Sequence, residues 1–205
     1  MKREEVKKKY DRFALFYDIS EYPTEKFLFS KWRKKYLSKL KGNILEIGVG
    51  TGKNLEYYNK DAKVIGIDIS QGMLEKAKQK ANASNIKLKV MDAEHLKFKS
   101  NSFDYVISTC ILCSVPDQVK ALKEMRRVLK PKGRVIMIEH VLSKNKLIAL
   151  FEKIHNPFTR FLFGFNINRD TQKSIKKAGL HIIKDENLAL KDVFRLFIAK
   201  KGSGK

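Results

Sequence analysis

Apolar residues occur along this chain in two alternating patterns, short continuous runs and segments with helical spacing. Runs of the length and composition of buried strands recur after residue 42, namely Ile44–Ile47, Val64–Ile67, Lys87–Val90, Phe103–Ser108, Val135–Ile138, His181–Lys184 and Phe194–Ala199. Between them, Gln71–Ala81 and Gln118–Leu129 place apolar side chains on one helical face and polar side chains on the other. Strands alternating with amphipathic helices predict an α/β protein, with a mostly parallel, doubly wound sheet covered by helices.

Glycines follow the first of these strands directly, at Gly48, Gly50 and Gly52. Glycine allows a sharp turn and lets a ligand approach the backbone. The second strand ends in Asp68, where doubly wound folds place an acid against ribose hydroxyls. Because Lys53 occupies the position of the third glycine of a dinucleotide motif, the pattern favours a different nucleoside-containing cofactor. The alternative is an ordinary strand-to-helix turn with Asp68 as a helix cap.

Taken in order, Glu46–Gly52, Asp68, Asp92-Ala93 and Phe103–Ser108 resemble the class I S-adenosylmethionine-dependent methyltransferases. The resemblance extends over roughly residues 10 to 200. It implies a Rossmann-like sheet of seven strands with the last antiparallel, and S-adenosyl-L-methionine as cofactor.

The resemblance also implies which residues hold the cofactor. The predicted set follows the ends of the first four strands and comprises Glu46, Gly48, Gly50, Thr51, Gly52, Asn54, Asp68, Ile69, Met73, Asp92, Ala93, Glu94, Ser108 and Thr109. Gly48 and Gly50 would approach the methionine portion, and the carboxylate of Asp68 would accept two ribose hydroxyl protons. Ile69 and Met73 would flank the adenine.

A narrower resemblance depends on Ile111–Asp117, Glu139–Val141 and Gly164–Thr171. These segments are similar to those of phospholipid N-methyltransferases and membrane-associated, thiol-methylating methyltransferase-like proteins. Tyr10–Asp18 is similar to the lid helix of those enzymes and of quinone-ring methyltransferases. The resemblance implies an amphiphilic small-molecule or lipid acceptor, and phospholipid amines, thiols and quinone-like rings all stay open.

His140 is the predicted catalytic base, because it ends the fifth strand and its ordinary pKa lies near neutrality. The alternative is a structural role, since methyl transfer can proceed without a base. Tyr10 and Tyr17 lie two turns apart on one helical face and are predicted to face the site, with Tyr17 also a catalytic candidate; simple packing is the alternative. The predicted substrate residues are Tyr10, Tyr17, Cys113, His140 and Arg169.

Asp170 is predicted to cap the helix that follows it. No metal is predicted, because Cys110 and Cys113 have no second cysteine pair to complete a zinc site. Two cysteines and no cleavable signal favour a reducing, cytoplasmic compartment.

The chain carries 44 basic and 22 acidic residues, a formal net charge of +22. Such a field favours anionic partners, including nucleic acid and acidic lipid surfaces, although lysine-rich surfaces also occur in proteins from hot habitats. Two alternatives to a small-molecule methyltransferase therefore stay open, namely an RNA methyltransferase that uses the basic surface and a non-catalytic cofactor-binding module.

Two segments favour contact with lipid. Lys26–Leu37 places Trp32 and Tyr36 at helical spacing beside basic residues, which is typical of an interfacial helix. Leu147–Phe165 is apolar and aromatic, and either covers a greasy substrate or packs over the sheet edge. No run reaches the length of a membrane span, so any membrane contact, such as one at the inner face, would be peripheral.

One domain is expected over residues 1–201. Within it, 1–41 would form an N-terminal helical lid and 143–170 a helical insertion covering the substrate site. Residues 202–205 would form a flexible tail. The oligomeric state is left open.

Overall fold

A seven-stranded sheet forms the centre of the protein, in a computed structural model that describes residues 3–13, 25–81 and 83–202. Its strands are β1 Gly42–Ile47, β2 Ala62–Asp68, β3 Ile86–Val90, β4 Phe103–Thr109, β5 Leu129–His140, β6 Leu180–Ala189 and β7 Phe194–Lys201. The strand order is β3-β2-β1-β4-β5-β7-β6, with β1 to β5 parallel and β7 antiparallel to both of its neighbours. The predicted doubly wound, mostly parallel sheet is confirmed.

Helices cover both faces of this sheet. They are α1 Arg3–Phe13, α2 Ser30–Leu37, α3 Gln71–Lys80, α4 Gln118–Val128, α5 Lys146–Leu162 and α6 Thr171–Lys177, with a π-helical turn at Glu25–Phe29 and a 3₁₀ turn at Leu55–Tyr57. The side chain of Asp170 accepts a hydrogen bond from the amide of Lys173 at 2.9 Å, so its predicted role as the cap of α6 is confirmed.

Alternate side chains of β1 enter two separate hydrophobic clusters, as the two-residue period of a strand requires. Leu45 and Ile47 join the cluster under α4, whereas Ile44 joins the cluster under α2 and α3. The centre of the sheet is therefore buried on both faces, whereas the edge strands β3 and β6 are partly exposed.

The apolar face of α2 packs inward. Trp32 contacts the rings of Phe29 and Phe194, with centroid distances of 5.0 and 6.1 Å. Tyr36 packs against the same cluster and donates a hydrogen bond to Glu186 at 2.9 Å. Trp32 and Tyr36, on which the predicted interfacial helix depends, therefore pack against the protein, which contradicts that prediction for these two residues.

The start of β5 differs from the sequence prediction. The predicted helix extends to Leu129 and the predicted strand begins at Val135, but β5 begins at Leu129, immediately after α4. Leu129 pairs with Phe103 and Arg134 with Tyr105, so the intervening residues form an irregularity in the strand.

Among the described residues, no helix is long and apolar enough to cross a membrane.

Candidate functional site

A cavity that opens to solvent lies at the carboxyl ends of the parallel strands, under α1. Ligands of doubly wound folds bind at this edge of the sheet. Its walls come from α1, from the segments that follow β1 to β4 and from the start of α3, and comprise Arg3, Val6, Tyr10, Gly48, Gly50, Ile67, Asp68, Ile69, Met73, Met91, Asp92, Ala93, Thr109, Cys110, Ile111, Ser114, Val115 and Pro116. Eight of the predicted cofactor residues are in this list, namely Gly48, Gly50, Asp68, Ile69, Met73, Asp92, Ala93 and Thr109.

Two glycines form the wall that follows β1. Gly48 and Gly50 have φ values of +65° and +55°, in the left-handed region that favours glycine. A Cβ atom at Gly48 would lie 2.6 Å from side-chain carbons of Ile111, whereas one at Gly50 would meet no atom within 4 Å. Gly48 is therefore required by packing, and Gly50 leaves open space beside the cavity.

Asp68 is held by two backbone hydrogen bonds. Its Oδ2 accepts from the amide of Gly50 and its Oδ1 from the amide of Ser70, both at 2.9 Å. Burial raises the pKa of Asp68, since only 9% of the residue is exposed. A carboxylate has about four lone-pair sites, so this one can still accept hydrogen bonds from a ligand.

Helix α1 is fastened to the start of α3 beside Asp68. Oδ1 of Asp11 accepts hydrogen bonds from the Oγ of Ser70 at 2.5 Å and from the amide of Gly72 at 3.1 Å. These contacts hold α1 over the cavity.

Asp92 forms a second acidic wall of the cavity. Its Oδ2 lies 3.2 Å from Nη1 of Arg3 and 2.9 Å from Nδ1 of His95, and its Oδ1 accepts from the amide of Glu94. Burial raises the pKa of Asp92, but these hydrogen bonds outweigh burial and lower it overall. Asp92 is therefore an ionised acceptor.

Tyr10 reaches the cavity from α1. Its hydroxyl oxygen lies 2.6 Å from the Oγ of Ser114. Burial raises the pKa of Tyr10, which therefore stays protonated near neutral pH. The predicted partner of Tyr10 on the same helical face, Tyr17, lies outside the described residues.

Six predicted cofactor residues do not line the cavity, namely Glu46, Thr51, Gly52, Asn54, Glu94 and Ser108. Glu46 instead accepts hydrogen bonds from Asn54 at 2.7 Å and from Tyr58 at 3.0 Å, and burial raises its pKa to about 7. Arg33 donates to the Oδ1 of Asn54 and pairs with Glu25 at 2.8 Å. This network of side chains supports the Gly48–Gly52 segment on the side that does not line the cavity.

The others also have internal partners. Ser108 donates to Glu139 at 2.7 Å, and Glu94 accepts from the amide of Asp117 at 2.7 Å. A side chain at position 52 would contact Ala77, so Gly52 serves the packing of α3.

Two predicted substrate residues lie outside the cavity wall. The thiol of Cys113 is buried and donates to the carbonyl of Cys110 at 3.1 Å. Arg169 donates to the carbonyl of Leu112 at 2.8 Å, and Asn166 donates to the carbonyl of Cys113 at 3.0 Å. These side chains fix the segment after β4 from its far side, and nothing in the wall comes from 143–170 among the described residues.

His140 also lies away from the cavity wall. Burial lowers its pKa to about 4. Its ring packs edge-to-face on Phe194 at 5.4 Å, and its Nε2 is 3.9 Å from Oε1 of Glu152. The predicted base is therefore a neutral imidazole packed between β7 and α5, without contact to the cavity.

Half of the residues in the cavity wall are not among the residues predicted from the sequence. The missed residues are Arg3, Val6, Ile67, Met91, Cys110, Ile111, Ser114, Val115 and Pro116. Four of them lie in Ile111–Asp117, a segment on which the narrower resemblance depends, and that resemblance was the available signal for this part of the wall. Cys110 has a φ of +52°, a turn that decides which of the following side chains face the cavity.

No group of three or more metal-ligating side chains occurs within 3–13, 25–81 and 83–202.

Comparison with known proteins finds matches among methyltransferases. Residues 45–137 match the family profile described as "Methyltransferase domain". A demethylmenaquinone methyltransferase of Staphylococcus epidermidis is 36% identical over 166 residues, which are 77% of this chain and 65% of that protein. The chain thus spans slightly less than two thirds of the length of that relative.

Solved structures share the fold. A chain from the Haloferax volcanii complex that contains the Trm112 methyltransferase activator superposes with a TM-score of 0.75 at 17% identity, over 95% of this chain and 98% of that one. A Haemonchus contortus phosphoethanolamine N-methyltransferase with bound S-adenosylhomocysteine gives 0.67 at 21% identity, over 85% of this chain and 52% of that one. The chain therefore has the Rossmann-like fold of class I methyltransferases, and residues 45–137 match the methyltransferase profile.

Proposed function

We propose that this protein is an S-adenosylmethionine-dependent methyltransferase whose acceptor is an amphiphilic, quinone-like molecule. The observation that carries the proposal is the cavity, in which the buried carboxylate of Asp68 faces a glycine-lined wall and apolar side chains. The name of the Staphylococcus epidermidis relative favours a quinone-like acceptor over a phospholipid amine or a thiol.

The residues of the cavity fit the cofactor. Asp68 would bind the ribose hydroxyls, Ile69 and Met73 would flank the adenine, and Asp92 would accept from its exocyclic amine. The open space at Gly50 would admit the methionine portion, because no side chain fills it. S-adenosyl-L-methionine supplies a methyl group on a sulfonium, which is already an activated leaving group.

The chain itself contributes alignment and exclusion of water. Helix α1 covers the cavity through Asp11, and a closed, apolar site favours the approach of two reactants by orientation. Because the hydroxyl of Tyr10 stays protonated, it would donate a hydrogen bond to an acceptor oxygen instead of removing a proton. Ile111, Val115 and Pro116 supply apolar surface for a flat ring.

A cytoplasmic location is part of the proposal. Cys110 and Cys113 do not form a disulfide in the described structure, which is typical of a reducing compartment.

Turnover with three acceptor classes tests the proposal. Purified protein would be incubated with S-adenosyl-L-methionine and, separately, a short-chain demethylated naphthoquinol, phosphatidylethanolamine vesicles or an alkyl thiol, with S-adenosylhomocysteine and methylated product measured by mass spectrometry. We expect methylation of the naphthoquinol ring. Tyr10→Phe should lower this turnover without changing cofactor affinity, and Tyr105→Phe, a tyrosine outside the cavity wall, is the control.

Methylation of the amine or the thiol alone would contradict the acceptor assignment. Cofactor binding without turnover on any acceptor would favour the non-catalytic module.

A further inference from the structure

Helix α5 carries a large apolar face that nothing covers in the described structure. Its seventeen residues run from Lys146 to Leu162. The exposed apolar side chains recur at helical spacing, at Leu147, Leu150, Phe151, Ile154, Phe158 and Phe161. Leu147 and Phe161, near the two ends, are 79% and 78% exposed.

This face is unlike that of α2, whose aromatic residues pack inward. The side of α5 that faces the protein carries Glu152, which is buried and accepts a hydrogen bond from the amide of Ser143 at 2.9 Å. The apolar stripe lies on the opposite side. Exposed apolar patches of this extent mark interaction sites.

The charges beside the stripe have one sign. Lys146, Lys153 and Arg160 are exposed and recur every seven residues, so they follow one flank of the helix. The single acidic residue of α5, Glu152, is turned inward. The solvent-facing surface of α5 is therefore apolar along its centre and cationic along its edge.

Helix α1 adds to this cationic edge. Nζ of Lys9 donates to the carbonyls of Arg160 and Phe161 and lies 5.7 Å from the centre of the Phe161 ring. Lys8 and Arg12 of the same helix are exposed. Two helices thus present positive charge beside one apolar stripe.

We propose that α5 docks in the plane of a phospholipid bilayer that contains anionic lipid. The helix is shorter than the roughly 20 residues of a membrane span, and an apolar stripe with basic residues at its edge is how helices lie at the boundary between headgroups and acyl chains. The stripe enters the acyl region and the cations contact lipid phosphates. Docking does not depend on which acceptor is methylated.

Charge favours lipid over a second copy of the chain. Two copies would each bring a formal net charge of +22 to the contact, whereas an anionic surface attracts that charge. Nucleic acid would also be attracted, but phosphate contacts need no aliphatic stripe.

Vesicle co-sedimentation of the full chain tests the proposal. Vesicles of phosphatidylcholine alone are compared with vesicles that also contain phosphatidylglycerol. We expect binding to the mixed vesicles, and the double variant Phe151→Gln/Phe158→Gln should weaken it by about tenfold or more, because two exposed rings no longer enter the acyl region.

Controls separate the stripe from general effects. Leu190→Gln changes a residue that is 64% exposed, as Ile154 is, but lies outside α5, and should leave binding unchanged. Lys153→Glu should weaken binding to anionic vesicles, whereas Lys78→Glu, with the same change of charge on α3, should weaken it much less. Circular dichroism checks the fold of each variant.

Several outcomes would overturn the proposal. The first is that the unchanged protein does not bind vesicles, and the second is that the double variant binds them equally well. The third is that the protein self-associates without lipid, or binds RNA, and that among the variants only the double variant abolishes this. Binding of S-adenosylhomocysteine is measured on the same samples. If the unchanged, folded protein does not bind S-adenosylhomocysteine, the methyltransferase assignment is contradicted. If it binds S-adenosylhomocysteine but not vesicles, only the docking of α5 is contradicted.

Discussion

Replacing His140 with phenylalanine should make the stability of the protein less sensitive to acid. Burial lowers the pKa of His140 to about 4 from its ordinary 6.5. The folded protein therefore keeps a neutral imidazole at a pH where the unfolded chain has already bound a proton. Since protonation then favours the unfolded chain, this group lowers the free energy of unfolding as the pH falls from about 6.5 to about 4.

The magnitude follows from the two pKa values. Between pH 7 and pH 5, a histidine with these values reduces the free energy of unfolding by about 2 kcal/mol. Phenylalanine keeps a ring against Phe194 but does not titrate. The buried carboxylates of Glu46 and Glu139, whose pKa values are raised to about 7, are present in both proteins and cancel in the comparison.

Urea denaturation of both proteins at the two pH values measures this difference. We expect the free energy of unfolding of the unchanged protein to fall by about 2 kcal/mol more than that of His140→Phe. Turnover at pH 7.5 should be retained by the variant, since His140 does not line the cavity. Equal pH dependence in the two proteins would refute the buried neutral state, and a large loss of turnover in a folded variant would restore His140 as a catalytic candidate.

Four further substitutions test separate parts of the structure. Asp68→Asn should weaken S-adenosylhomocysteine binding by about tenfold in calorimetry, because hydrogen bonds to a charged acceptor are lost. Gly48→Ala should lower the free energy of unfolding, measured by urea denaturation, by about 2 kcal/mol or more, since its Cβ would lie 2.6 Å from Ile111. Gly50→Ala places alanine at a positive φ without that clash, so it should lower the free energy of unfolding by less. Arg33→Met should lower the free energy of unfolding by about 3 kcal/mol in the same assay, because it breaks the ion pair between the buried Arg33 and Glu25. A variant as stable as the unchanged protein would contradict a stabilising role for this ion pair.

The strand and glycine patterns were sufficient to predict the sheet and the position of the cavity. Buried parallel strands can be predicted from local composition. Gly48, Gly50 and Asp68 lie at strand ends that any doubly wound fold brings together. Asp170 was predicted as a cap for a similar reason, since capping involves residues that are neighbours along the chain.

The direction in which an apolar helical face points could not be predicted. Trp32 and Phe158 both lie on helices that carry apolar and basic residues, yet Trp32 packs on Phe194 and Phe158 is exposed. Periodicity defines a face but not its partner. The role of His140 was also beyond prediction, because the end of a strand does not reveal whether a side chain points toward the cavity or, as here, toward Glu152.

The internal partners of Glu46 and Arg169 were missed for a related reason. Each lies in a motif near the site, but Glu46 is held by Asn54 and Tyr58, and Arg169 by the carbonyl of Leu112. Such contacts join segments distant in sequence, and only the folded chain determines them. Residues that support a cavity and residues that line it therefore look alike in the sequence.

Calorimetric titration of S-adenosylhomocysteine into the purified, unchanged protein tests the central claim most directly. The cavity under α1, with Asp68 and Asp92 as its acceptors, predicts one site with a dissociation constant on the order of 1 μM. The absence of binding by a protein shown to be folded would contradict the assignment of this cavity to S-adenosyl-L-methionine.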